Sequence, residues 1–272
     1  MVYVCVYLRK SNDGWPFDGG DDPAFRCSVK QRGPLTWGVC RPDVRNALRE
    51  GDGVVYFAAD RLSNRNPARY QFVGFATVEQ RVTQTDIWKL PALAAFRRYG
   101  NLLIRPTRDG FEHHEPALEV AHWHNDWFWR INGERALTKD ATRGFEHLDG
   151  KRRVGGRPVT IASNYIVFST DPGATLIVGE PPTIASAQGN RARETWERTP
   201  IADALRSLLL AGTGRKLRTT NPSQAHRHIR LDLDTSAVFR QLHRICRTHG
   251  LHPRNGAMKC AEPQAGQALR CG

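Results

Sequence analysis

The residues best equipped for chemistry fall in one segment, 122–131, which reads HWHNDWFWRI. On a strand, side chains at i and i+2 share a face, so His122 and His124 can point the same way and chelate one ion. His113, His114 or His147 would then be needed as further ligands. Alternation puts Asp126 and Phe128 with the two histidines, and Trp123, Asn125, Trp127 and Trp129 on the opposite face. That second face combines rings with an amide, which suits stacking on a base and reading its edge. The histidine spacing is not a distinctive metal signature. No metal site is assigned from it, and a recognition wall and plain packing stand beside a metal as readings.

Other chemistries lack their motifs. There is no G-x-S-x-G nucleophile elbow, no Walker A sequence and no G-x-G-x-x-G fingerprint. The H-x-E with P-C-x-x-C pattern of the zinc base deaminases is also missing. No cofactor is therefore expected. Cys40 beside a histidine would make a nucleophile, but just ahead of a short helix a small buried residue is equally normal. The six cysteines (5, 27, 40, 246, 260 and 271) form no C-x-x-C pair, which removes the zinc-ribbon reading and suggests free thiols in a reducing compartment.

Charge points to a partner. The 272 residues hold 40 Lys+Arg against 27 Asp+Glu, a formal net charge of +13, with arginine dominant. An excess of this size favours a polyanion, of which nucleic acid is the commonest; a merely solvated basic surface is the bland counterpart. Arginine contacts to phosphate give salt-dependent affinity, and stacking adds about 1–3 kcal/mol per base. No run approaches the ~18 apolar residues of a membrane span. The opening MVYVCVYLRK reads as a strand and not as a signal peptide, so a cytoplasmic protein is expected.

The elements that must position these residues begin with the stretch 37–82. Residues 43–50 carry Val44, Ala47 and Leu48 at helical spacing and stop at Gly51. Gly51-Asp52-Gly53 is turn chemistry, with Asp52 a turn former before a ligand, and 54–58 is a β-rich run. Residues 62–69 break regular structure, and 70–78 reads as a strand with Gly74 as a bulge. Upstream, 2–8 (VYVCVYL) is apolar throughout, as a buried central strand should be. Downstream, 87–99 is helical either side of Pro91, with Asp86 as a cap, and Arg97 and Arg98 near its end. A strand is expected within 101–106, and two more at 165–169 and 175–178. Two amphipathic helices follow, 195–211 with a start signal at Thr199-Pro200 and 235–249. The composition changes near 185–192, giving two expected units: a sheet-rich domain, 1–188, and a basic helical C-terminal extension, 189–272. The helices of that extension are candidate surfaces for protein partners.

One pattern resembles a known family. Trp37-Gly38-Val39-Cys40-Arg41-Pro42, then Val44-Arg45, Glu50-Gly51-Asp52 and the strand 54–57, is similar to the nucleotide modification associated domain family, type two. The likeness also takes in 3–9 with the loop 13–17, the glycine-containing strand 72–78, 165–169 and Gly179-Glu180-Pro181. Lys10 departs from it, standing where the family has a histidine, as do the longer 18–32 segment and the C-terminal extension. The resemblance implies an α+β fold, a PUA-like mixed β-barrel with peripheral helices, related to ASCH and EVE domains. It also implies binding of nucleic acid or a modified nucleotide within a bacterial or phage nucleotide-modification system. In that expectation Trp37 and Trp123 or Trp127 stack, Arg41 and Arg45 hold phosphate, and Asn125 or His124 reads a base edge. The alternative is an enzyme of nucleotide modification or nucleic-acid cleavage centred on His122, His124 and Asp126.

Overall fold

A computed structural model describes residues 1–9, 23–25, 34–38, 42–60, 68–99, 101–102, 104–106, 108, 111–113, 153–154, 157–158, 165–187, 194–210 and 227–253. The first half holds β1 (Val2–Arg9), β2 (Thr36–Trp37), α1 (Pro42–Ala47), β3 (Gly53–Asp60), β4 (Ala68–Val82), α2 (Gln84–Lys89) and a 3-10 helix, Pro91–Arg98. After these come β5 (Ile104–Pro106), β6 (Phe111–His113), β7 (Arg153–Val154), β8 (Arg157–Pro158) and β9 (Tyr165–Phe168). The chain continues with β10 (Thr175–Ile177), β11 (Thr183–Ala187), β12 (Glu194–Trp196), α3 (Pro200–Leu209), β13 (Arg227–Leu231) and α4 (Thr235–Thr248).

Among the described residues, nine strands share one mixed sheet. β1 lies between β3, to which it is parallel, and β13, to which it is antiparallel. β3 in turn pairs with β4. The far edge of β4 is covered in three steps by one returning segment: β9 pairs with its end, β10 with its middle and β11 with its start. β2 then adds to β9 and β12 to β11. The ladder is open, running from β12 to β13 with β2 on a side branch, so an α+β class is observed and a closed barrel is not.

Strong curvature stands in for closure. Beside β2, the Ala24 N–H donates to the Thr36 carbonyl at 2.8 Å. The next residue, Phe25, stacks on Tyr7 of β1 with centroids 5.5 Å apart and meets Tyr56 of β3 edge-on at 5.2 Å. The β2 branch therefore folds over one face of β1 and β3. That concave face buries Tyr3, Cys5, Tyr7, Val54, Tyr56, Ala58, Trp37 and Phe168, with Val44 and Leu48 from the α1 region. The opposite face buries Val2, Val4, Val6, Val55 and Phe57 beneath α3 and α4. An unbroken apolar run is what a strand covered on both faces requires, and β1 has one.

The expected bulge in β4 is present. Tyr56 pairs with Gly74, but Phe57 pairs with Phe72, leaving Val73 as the extra residue. Gly74 has φ 146°, and a Cβ there would run into the Leu176 carbonyl oxygen. The bulge reverses the strand's parity: Tyr70 and Phe72 face the helices before it, whereas Ala76 and Val78 face the concave side after it.

Local signals needed three adjustments, the first being that α1 ends at Ala47 and not at the expected Gly51 stop. α2 is capped by Thr83, whose Oγ1 accepts from the Asp86 N–H at 3.1 Å while Asp86 Oδ2 accepts from the Thr83 N–H at 2.9 Å. Asp86 is thus the third helical residue of a capping box and not the cap. α3 starts at Pro200 behind the Thr199 cap, as the start signal indicated, but 194–196 forms β12, because Thr195 and Trp196 pair with β11.

Candidate functional site

The concave face gathers the densest group of aromatic side chains among the described residues, and they are buried. β2 carries Trp37 into it, 2% exposed, its ring edge-on to Tyr56 at 6.0 Å and 63°. Tyr56 also meets Phe168 edge-on at 6.1 Å. With Phe25 and Tyr7 this makes an aromatic lining drawn from well-separated pieces of chain. One donor here is not matched: among the described residues Trp37 Nε1 has no hydrogen-bond partner although the atom is buried, and the same holds for Nδ2 of Asn46 on α1. A buried donor without an acceptor costs about 1–3 kcal/mol, so such an atom calls for an explanation.

Trp37 is held rigidly. Gly38 follows it because no side chain fits: a Cβ would lie 2.7 Å from Tyr165 Cε2 and collide with the Asn101 carbonyl oxygen. Gln84 Nε2 donates to the Gly38 carbonyl at 3.1 Å. The Tyr165 hydroxyl donates to Asn101 Oδ1 at 2.7 Å and also lies 3.0 Å from Thr36 Oγ1, which accepts from Asn101 Nδ2 at 3.0 Å. Thr36, Gln84 and Asn101 are each wholly buried. A closed polar knot of this kind fixes backbone geometry far more sharply than apolar packing alone.

Arg45 is wholly buried on α1 and is engaged in interactions inside the fold. A buried guanidinium must be paired, and this one lies inside the fold and not on an exposed surface. At the lower end, the Tyr3 hydroxyl donates to the Ala47 carbonyl at 3.4 Å and Arg81 Nη1 to the Leu48 carbonyl at 3.2 Å. Burial raises the Tyr3 phenol above its ordinary value, with the nearby Arg230 opposing that rise. Burial, then the Arg49 charge, lowers the Arg81 guanidinium. Asp52, as a turn former should, accepts from the Arg49 N–H at 2.9 Å, and it also pairs with the Met1 amino group at 3.2 Å.

Of the sequence-derived site residues, Trp37 and Arg45 fall within the described residues, and both are buried. Arg41, Cys40, Trp123, His124, Asn125 and Trp127 lie outside the described residues, as do His122 and Asp126. Arg97 serves the end of α2: its Nε donates to the Ile87 carbonyl at 3.0 Å and its Nη2 to the Trp88 carbonyl at 2.8 Å. Residue-type reasoning passed over Tyr56, Asn46 and the Thr36–Asn101–Tyr165 knot. Gly38, a glycine outside any turn, was the one signal that backbone and side chain approach closely there. Comparison of the chain with family models, with curated proteins and with solved structures finds no match.

Proposed function

We propose that this chain is a nucleic-acid or modified-nucleotide binding module whose concave face receives a base. The observation that carries the reading is the Trp37 indole N–H, buried among aromatic rings with no acceptor among the described residues. A base supplies what that donor lacks, since its ring nitrogens and carbonyl oxygens accept hydrogen bonds while its faces pack on aromatics. Asn46 Nδ2 is a second donor of the same kind. The net charge of +13 supports a phosphate-bearing ligand, and the likeness to nucleotide-modification proteins points to the same class. In this reading Trp37 acts through its N–H as well as its ring.

The test follows the indole N–H directly. A Trp37→Phe variant identifies its resonance among the seven tryptophans. Nucleoside monophosphates and short oligonucleotides with plain and alkylated bases are then titrated into the wild-type protein. A downfield movement of that resonance, saturating with one class of base, is expected. If it stays fixed with every base-bearing probe, the reading fails.

A further inference from the structure

α4 presents a stripe of arginines that the concave site does not use. Its buried side is Thr235, Val238, Phe239, Leu242 and Cys246. Its exposed residues include Arg240, Arg244 and Arg247. At about 100° per residue these three fall within an arc of about 60°, roughly opposite the buried side, and span about 10 Å of helix axis.

The stripe is not explained by the helix itself. α4 contains no Asp or Glu, and among the described residues none of the three arginines has an ion pair. Arg240 and Arg244 stand at i, i+4, and Arg244 and Arg247 at i, i+3, where like charges repel by about 0.2–0.5 kcal/mol per pair. The helix dipole favours only the last of them, Arg247. The sequence thus keeps a charge arrangement that weakens the free helix. The remaining anchors are firm: Asp234 caps the N-terminus, its Oδ2 accepting from the Ala237 N–H at 2.7 Å, and His243 Nε2 lies 3.0 Å from the Gly173 carbonyl.

We infer that the Arg240–Arg244–Arg247 face of α4 is a phosphate-backbone contact surface for nucleic acid, separate from the concave site. The inference rests on the nucleic-acid reading above and adds where the strand or duplex lies. A row of guanidiniums on an anchored helix, each able to fork onto phosphate oxygens, matches a polyanion with regularly repeating charges. Contacts of this kind carry no sequence information and set affinity through counterion release.

The experiment uses the full chain and a fluorescein-labelled 20-base-pair duplex of mixed sequence, with its single strand alongside, read by anisotropy across a salt series. The R240Q/R244Q/R247Q variant is compared with wild type and with a charge-matched control, R69Q/R108Q/R198Q, taken from exposed arginines elsewhere. The stripe variant should melt no lower than wild type. Its log–log salt slope on the duplex should fall by about 2.7, at about 0.9 for each phosphate no longer neutralised, and its affinity by tenfold or more. The control should change the slope by less than about one. An unchanged slope in the stripe variant, with wild-type binding intact, overturns this surface alone and would leave the face to an acidic protein partner. Equal losses in both variants also overturn it, since diffuse charge then suffices. Absence of any oligonucleotide binding by the wild type removes the nucleic-acid reading itself.

Discussion

Gly53 of β3 and Phe239 of α4 meet with no room for a side chain between them: a Cβ on Gly53 would lie 2.7 Å from Phe239 Cζ and 2.7 Å from Thr235 Cγ2. The glycine that sequence reasoning places in a turn is therefore also the seat of the last helix. Gly53→Ala should cost about 1–3 kcal/mol through overpacking, seen as a lower urea midpoint with unchanged slope. Gly51, two residues earlier, has φ 84° and open space around it, so Gly51→Asn should cost much less. Equal costs at the two positions would contradict the packing described.

The Tyr165 hydroxyl holds the knot beneath Gly38. Tyr165→Phe removes the shortest bond of the knot and leaves Asn101 Oδ1 with the longer Thr36 Oγ1 contact at 3.3 Å in a wholly buried setting, and should cost about 1–3 kcal/mol in denaturant titrations. Because the knot positions Trp37, the same variant should broaden or shift the Trp37 indole resonance. A variant as stable as wild type, with that resonance unmoved, would mean the knot does not hold the tryptophan.

Burial pushes the Cys246 thiol up to about 12 from an ordinary value of 9.0. The folded state keeps this proton where the unfolded chain releases it. Stability from the neutral thiol is therefore fully present below about pH 9 and declines as pH rises towards about 12. Tyr3, also raised, acts in the same direction from its ordinary value of 10.0. Urea midpoints should fall on the alkaline side, and Cys246→Val should flatten part of that fall. An identical decline in the variant would remove Cys246 as its source.

Much of the sheet was legible because its signals are local. The apolar run of β1, the left-handed Gly51, the Gly74 bulge and the Thr199-Pro200 start of α3 each rest on conformational preferences of a few neighbouring residues. The partners of β4 were not legible, because a strand's pattern shows that it is covered without showing by what. Residues 165–187 match β4 in three short pieces with offsets at Val78–Gln80 and Thr183–Ala185, and no single alternation runs through them. The burial of Arg45 was also hidden: an arginine beside a valine on a short helix reads as surface until the sheet folds over it. Trp37 presents the same difficulty, since one ring on a two-residue strand gives no parity to follow.

The pairing of β1 with both β3 and β13 has a consequence during synthesis. β3 is made within sixty residues of the start of β1, but β13 emerges only after residue 226. Throughout that interval one side of VYVCVYLR is an unpaired, nearly uncharged edge, the kind of strand that recruits other chains. The parallel β1–β3 ladder is itself slow to form, which lengthens the exposure. The late-arriving strand that ends it reads RHIRL and carries two arginines, in contrast to the nearly uncharged strand whose edge it pairs with.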